Sequence, residues 1–337
     1  MKERSLYSVV PHQSVETFVH TDVQGEHVPT DETPFEADAT HTFAVVGNEK
    51  KRVRGSADKY RLRRISELHG RSYAFPWQLL WRDRYGNLFS ALNGKGNNCT
   101  ELEAFTSNVS PSGFAVRGLQ DSDSLVRLLR ASDYLRSKNV PTEMVVHVLE
   151  PATLPIEGEM IPLAQVKQKL VEIVLRQNTE GNRNEDTPTL KDISRLTQAL
   201  RNMTFFITIR GMQANERIGD LAHAKTTDDL KQLLQPAMQF VNMETRLQGG
   251  SQTTLSPDVP EDIERYLEEV LPLRCARTFA SMHEAGVTLQ FTHTGNISLT
   301  GSICDLDSAK GEPLKLGDEI QQKNNFIRDI REFLRGM

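Results

Sequence analysis

The sequence predicts an α+β fold in two lobes, the first rich in strands and the second mainly helical. Three observations carry that expectation. Runs rich in Val, Leu, Phe and Trp alternate with turn residues as far as Leu149. Amphipathic stretches at helical spacing dominate after Arg217, and a short hairpin pattern interrupts them between Asn296 and Asp305. The boundaries read as a polar, partly ordered N-terminal extension over 1–60, a first lobe over 61–152 and a second over 153–337.

Composition narrows the class. The chain has 337 residues, 38% apolar and 25% charged, with a mean hydropathy of −0.46. A formal charge of −5 argues against a general nucleic-acid binder, which normally carries a basic excess. No apolar run reaches the roughly 18–20 residues of a membrane span. The segment Met1–Phe18 has no signal-like apolar core, and its acidic residues do not suit a transit peptide. Cys99, Cys275 and Cys304 are too scattered for a disulfide framework or a zinc site. The expectation is a cytoplasmic protein with no nucleic-acid or membrane partner.

The elements follow in order. Thr42–Val46 reads as a strand, and the basic cluster Lys50–Gly55 as a solvated loop or a phosphate patch. Trp77–Trp81 and Leu88–Leu92 read as strands around the turn Arg82–Asn87. A helix starts at Ser122, capped by Ser122 or Asp123, with Leu125, Leu128, Leu129, Ser132 and Leu135 on one face, and Val140-Pro141 ends it. Met144–Leu149 is a buried strand. Helices over Leu163–Arg176 and Leu190–Leu200 follow, then the strand Phe205–Ile209. Beyond it lie helices over Asp228–Val241 and Pro260–Met282, the latter interrupted near Pro272. A final amphipathic helix carries Ile320, Phe326, Ile327, Ile330, Phe333 and Leu334. This order of elements is that of a protein-kinase-like fold.

Four features point to one nucleotide site. Lys95, between Gly94 and Gly96, is a point charge on a backbone that a phosphate can approach closely, although Gly-Lys-Gly is also a common exposed turn. Asp133, on the helix after it, lies at the edge of the apolar face, where periodicity permits but does not demand a pair with that lysine. Arg210 and Arg217 suit bidentate phosphate binding, and each also fits a surface salt bridge. Finally, Ile297–Leu299 and Ser302–Cys304 read as strands joined by the two-residue turn Thr300-Gly301. That register sets Asn296 opposite Asp305, an amide oxygen and a carboxylate that can hold Mg²⁺ or Mn²⁺ between them. An ordinary polar-ended hairpin is the alternative.

These residues resemble the selenoprotein O family, kinase-like enzymes that transfer AMP from ATP to hydroxyl side chains. The family's L-K-G-x-G is similar to Leu92–Gly96. Its R-E-F-L-x-S-E-A-M-x-x-L-G-I-P-T-T runs without a gap along Arg127–Glu143, with Asp133 on the lysine-pairing glutamate. R-V-A-x-S-H-x-R-x-G matches Arg210, Arg217 and Gly219 in spacing, and N-T-D-N-M-S-I-x-G-x-T-I-D-Y-G aligns with His293–Asp307. The resemblance implies Asn296 and Asp305 as metal ligands, with Lys95, Gly96 and Asp133 beside the phosphates. It also implies that Arg210 and Arg217 bind the distal phosphates of a flipped ATP.

The departures matter as well. Phe291 stands five residues before Asn296, where an ordinary kinase has its catalytic Asp, and Gly295 replaces the family's Asp just before the Asn. His293 and Asp307 are the replacement candidates for a base, with Asp307 equally placed to be a further metal ligand. The C-terminal Arg335-Gly336-Met337 carries no redox residue. The expected activity is AMP transfer from ATP to a protein hydroxyl or a small-molecule hydroxyl or carboxylate. The alternatives are phosphoryl transfer to a small molecule and an inactive nucleotide-binding interaction protein.

Overall fold

The structure, a computed structural model, describes residues 7–10, 20–21, 27–28, 63–64, 72–75, 81–95, 103–107, 112–117, 119–151, 153–156, 159–250, 254–289 and 292–311. Thr42–Val46, Lys50–Gly55, Trp77–Leu80, Gly96, Phe291 and the helix expected over 320–334 lie outside the described residues, as does the Asp307 side chain. The protein is α+β. Among the described residues no helix is long and apolar enough to cross a membrane.

Numbering only the main-sheet strands, these are β1 (Tyr7–Val10), β2 (Arg63–Arg64), β3 (Ser72–Phe75), β4 (Ala91–Lys95), β5 (Gln120–Asp121), β6 (Met144–Pro151) and β7 (Phe205–Met212). Their order is β1-β6-β7-β4-β3-β2, every pair antiparallel, with β5 pairing the start of β7. Part of the stretch expected as an N-terminal extension therefore forms an edge strand. The main sheet also extends past the expected lobe boundary at 152/153. Strand β7 lies between β6 and β4, so the sheet continues across that point to Met212. Strand periodicity reveals β7 but not its partners, which are contributed by residues far upstream.

Strand β7 shows how the sheet is covered. Phe205 and Ile209, fully buried, face one core with α2 (Leu163–Thr179) and α3 (Ile193–Asn202), through Val166, Leu170, Leu196 and Leu200. Thr208 and Arg210 alternate onto the opposite face. On that side packs α1 (Ser122–Ser137), whose Leu125, Leu128 and Leu135 join a second core with the C-terminal helices. Fully burying one such leucine is worth roughly 1.5–3 kcal/mol. Helix α1 is capped by Asp121, one residue earlier than expected, which accepts the Ser124 N–H at 2.8 Å. It ends at Ser137 with Lys138 as its C-cap, and the positive φ of 57° at Asn139 with the following Val140-Pro141 prevents continuation.

After Met212 the chain is mainly helical. Helix α4 (Thr227–Leu247) begins in a Thr226/Asp229 capping box. Helix α5 (Pro260–Arg265) passes through a π turn at Tyr266–Val270 into α6 (Leu271–Glu284). The irregularity expected near Pro272 falls just before it, because a residue without an N–H cannot continue the regular ladder.

Candidate functional site

The pleat of two neighbouring strands aligns the first group of side chains. In the β4–β7 ladder Lys95 lies opposite Thr208 and Asn93 opposite Arg210. Opposed residues share a face, and so do residues two apart along a strand, so all four project to the α1 side of the sheet. Arg210 donates from Nε to Asn93 Oδ1 at 2.9 Å, fixing the guanidinium across the ladder.

The second group comes from the hairpin, whose register differs from the expected one. Ile297 pairs with Ile303, and the Cys304 N–H donates to the Asn296 carbonyl at 2.9 Å. Asn296 is therefore opposite Cys304 and not Asp305. The loop has three residues, Leu299-Thr300-Gly301, with Gly301 at φ +82° and its N–H bonded to the Ser298 carbonyl at 2.9 Å. An added Cβ at Gly301 would lie 2.9 Å from Arg274 Cβ and 3.0 Å from Cys275 N, so α6 requires glycine there as well. Two side chains from this helical segment hold the loop: Tyr266 Oη donates to the Leu299 carbonyl and Arg274 Nε to that of Thr300, both at 2.6 Å.

One residue past the hairpin the backbone turns left-handed at Asp305, with φ 66° and ψ 50°. That turn directs its carboxylate to the sheet, where it forms an ion pair with Lys95. Arg210 Nη1 stands 3.6 Å from the same oxygen. The pair is at the rim, with 21% of the Lys95 and 35% of the Asp305 side chain exposed, whereas Arg210 keeps only 3%. Burial pushes the Asp305 carboxyl upward, but the charges of Lys95, Arg210 and Arg217 outweigh it and hold the group well below the usual carboxylate range. Burial drives the adjacent Cys304 thiol up to about 12.

Beneath the pair lies a residue that the sequence did not single out. Glu143 is fully buried, and its Oε2 accepts from Arg210 Nη1 at 2.8 Å while Oε1 accepts from the Leu306 N–H at 3.0 Å. Its sequence signal was a lone carboxylate ahead of the apolar run Met144–Val146. Asn93 was also missed, although a polar residue between Leu92 and Gly94 on a buried strand was a legible sign.

The remaining candidates are distributed differently. Asp133 does not meet Lys95. It accepts from Arg84 at 2.6 Å, Tyr85 Oη at 3.2 Å and Arg136 at 3.2 Å, docking the turn after Arg82 onto the end of α1. This corrects the expected Lys95–Asp133 pair, and the reason is reach: Asp133 faces that turn, whereas Asp305 meets the lysine. Arg217 donates from Nη1 to the Gly295 carbonyl at 3.2 Å, beside Asn296. Gly219 lets this segment press on the loop, since an added Cβ would lie 3.2 Å from Thr294 Oγ1. His293 is exposed, and its Nδ1 accepts the Gly295 N–H at 3.1 Å. With that lone pair engaged, neutral His293 carries its proton on Nε2, which suits a cap and not a base. Asp307 lies in the turn Leu306–Ser308, not in an extended strand.

Among the described residues no three His, Cys, Asp or Glu side chains cluster with metal-ligand geometry. The cation donors to weigh are therefore Asp305 and Asn296, both hard oxygen ligands of the kind that Mg²⁺ prefers. The Lys95 ammonium already stands against Asp305 as a cation, so this carboxylate accepts positive charge from the sheet side. A cavity of about 660 Å³, lined by both polar and apolar side chains including Arg195, Gln198, Asn202 and Met203, shares no residue with this cluster.

Together these features define an α+β protein with a charged cluster at the junction of sheet and hairpin. No protein-family model matches the chain, and no curated protein matches it.

Proposed function

We propose that the chain is an ATP- and Mg²⁺-dependent transferase of bilobal, kinase-like architecture that moves AMP from ATP to a hydroxyl or carboxylate acceptor. One observation carries the reading: a phosphate-type cation, Lys95, and a metal-type carboxylate, Asp305, meet at an accessible rim from positions 210 residues apart. Lys95 is placed to bind the phosphate oxygens of an incoming nucleotide. Asp305 and, on the resemblance to selenoprotein O, Asn296 would hold Mg²⁺ or Mn²⁺, which would supply neutralisation of phosphate charge. Arg210 and Arg217, buried below and beside the pair, keep the field positive where the triphosphate lies.

An acceptor oxygen attacks the α-phosphorus, the bond to the bridging oxygen breaks, and pyrophosphate leaves. Positioning and electrostatics supply most of the rate. A carboxylate acceptor needs no proton removed, which fits a site where His293 is engaged as a cap. The preference for AMP over phosphoryl transfer rests on the resemblance to selenoprotein O at Arg210, Arg217 and Gly219. A cytoplasmic setting agrees with Cys275 and Cys304 as buried free thiols.

Incubation with ATP labelled at the α- or the γ-phosphate tests the reading. Label from the α position in the acceptor, with pyrophosphate released, is the expected result. Label from γ identifies a phosphotransferase. Nucleotide-dependent thermal stabilisation without transfer identifies an inactive nucleotide-binding protein.

A further inference from the structure

Glu143 bridges the sheet and the Asp305 loop, one carboxylate oxygen on Arg210 and the other on the Leu306 N–H. The segment leading into it is zipped onto the hairpin. The Ile303 N–H donates to the Pro141 carbonyl at 3.0 Å, and the Ile303 carbonyl accepts from Thr142 Oγ1 at 2.9 Å and the Glu143 N–H at 3.1 Å. On its other side the Glu143 carbonyl accepts Ser132 Oγ from α1 at 2.6 Å. Backbone and side chain together thus tie α1, β6 and β7 to the residue that follows Asp305.

The two carboxylates compete for one guanidinium. Arg210 Nη1 lies 2.8 Å from Glu143 Oε2 and 3.6 Å from Asp305 Oδ1. Charge-assisted pairs strengthen steeply as they shorten and desolvate, so Glu143 takes most of Arg210's hydrogen-bonding capacity on that edge. Without it the next carboxylate oxygen from Arg210 Nη1 among the described residues is Asp305 Oδ1.

We propose that Glu143 is a positioning residue for cation binding: it diverts Arg210 from Asp305 and pins the Leu306 amide, keeping the Asp305 carboxylate available to a divalent metal. The inference rests on the reading of Asp305 as a metal ligand. It assigns Glu143 no contact with metal or nucleotide. Its signature is a split. Losing the Glu143 charge weakens metal binding, whereas metal-free binding of the triphosphate is kept or improved, because a net positive charge is added nearby.

The test is calorimetric titration of the full chain with Mn²⁺ alone and with a nonhydrolysable ATP analogue, with and without Mn²⁺, on wild type, Glu143→Gln and the double variant Glu143→Gln/Arg210→Met. Glutamine keeps an acceptor for the Leu306 N–H while removing the charge. The expected result is a loss of about tenfold or more in Mn²⁺ affinity for Glu143→Gln, with metal-free analogue binding not reduced. The double variant, which removes both buried charges, regains the wild-type affinity for Mn²⁺ titrated without nucleotide, because Arg210 then no longer competes with the metal for Asp305. That recovery supports the inference even if the single variant does not fold. Equal weakening of metal-bound and metal-free binding, unchanged Mn²⁺ affinity in Glu143→Gln, or a double variant that still binds Mn²⁺ poorly overturns it. Absence of Mn²⁺-dependent binding by wild type overturns the underlying reading of the site instead.

Discussion

Lys95 and Asp305 form an ion pair across 210 residues of chain, and Asp305 reaches it from a left-handed backbone conformation. Such a conformation costs a non-glycine residue on the order of 1–3 kcal/mol and survives where the surroundings over-determine it. Here the Cys304 N–H on the Asn296 carbonyl and the Leu306 N–H on Glu143 fix both sides of the turn. The strain thus lies at the residue that the proposed chemistry needs most.

Because the Lys95 ammonium occupies the cation position at Asp305, it competes with metal in the absence of nucleotide. Lys95→Met is expected to bind Mn²⁺ alone several-fold more tightly than wild type, yet to bind the metal–ATP complex about tenfold or more weakly. Mn²⁺ titration followed by electron paramagnetic resonance reads the first effect and calorimetry the second. A fall in both affinities would mean that Lys95 only supports the fold.

Asp305 also sets an acid limit. Its carboxyl is held below its unfolded value, so its stabilisation is complete above about pH 4 and is lost as the pH falls toward its depressed folded value. Thermal unfolding of wild type should therefore become steeply pH-dependent below pH ~4. Asp305→Asn, which tolerates the left-handed backbone but cannot ionise, should lose part of that slope. Parallel melting-temperature profiles for the two proteins would remove Asp305 from the acid transition.

Gly301 and Gly86 separate backbone strain from packing. Both have positive φ, +82° and +88°, but only Gly301 faces close neighbours, the Arg274 and Cys275 backbone. Gly86→Ala is expected to cost roughly 1–2 kcal/mol and Gly301→Ala a further ~1–3 kcal/mol from overpacking. Chemical denaturation measures both, and equal losses would show that α6 yields to the added methyl group.

His293 is read as a cap. His293→Asn supplies another acceptor for the Gly295 N–H and should retain transfer activity within about threefold. General-base removal typically costs ~10²–10⁴-fold, so a loss of that size would restore His293 to the chemistry.

Much of the fold was legible where local rules decide it. Helix α1 was readable from a cap followed by Leu125, Leu128 and Leu135 at helical spacing, and β7 from its apolar run. What failed depended on distance in sequence. The partners of β7 and the Arg84 contact that claims Asp133 carry no periodic signal. The hairpin failed more subtly. Thr300-Gly301 fits the end of a three-residue loop as well as a two-residue turn, and one residue of register decides whether Asn296 faces Asp305 or Cys304. Lys95, Arg210 and Asp305 still converge, because the left-handed turn re-aims the carboxylate.

The most direct test of the cation-and-phosphate site is Mg²⁺-dependent binding of a nonhydrolysable ATP analogue to wild type and Asp305→Asn, measured by calorimetry with circular dichroism as the control for folding. The account predicts metal-dependent binding by wild type and a loss of ~100-fold or more in a folded Asp305→Asn protein. Equal metal-dependent affinity in the two proteins would contradict it.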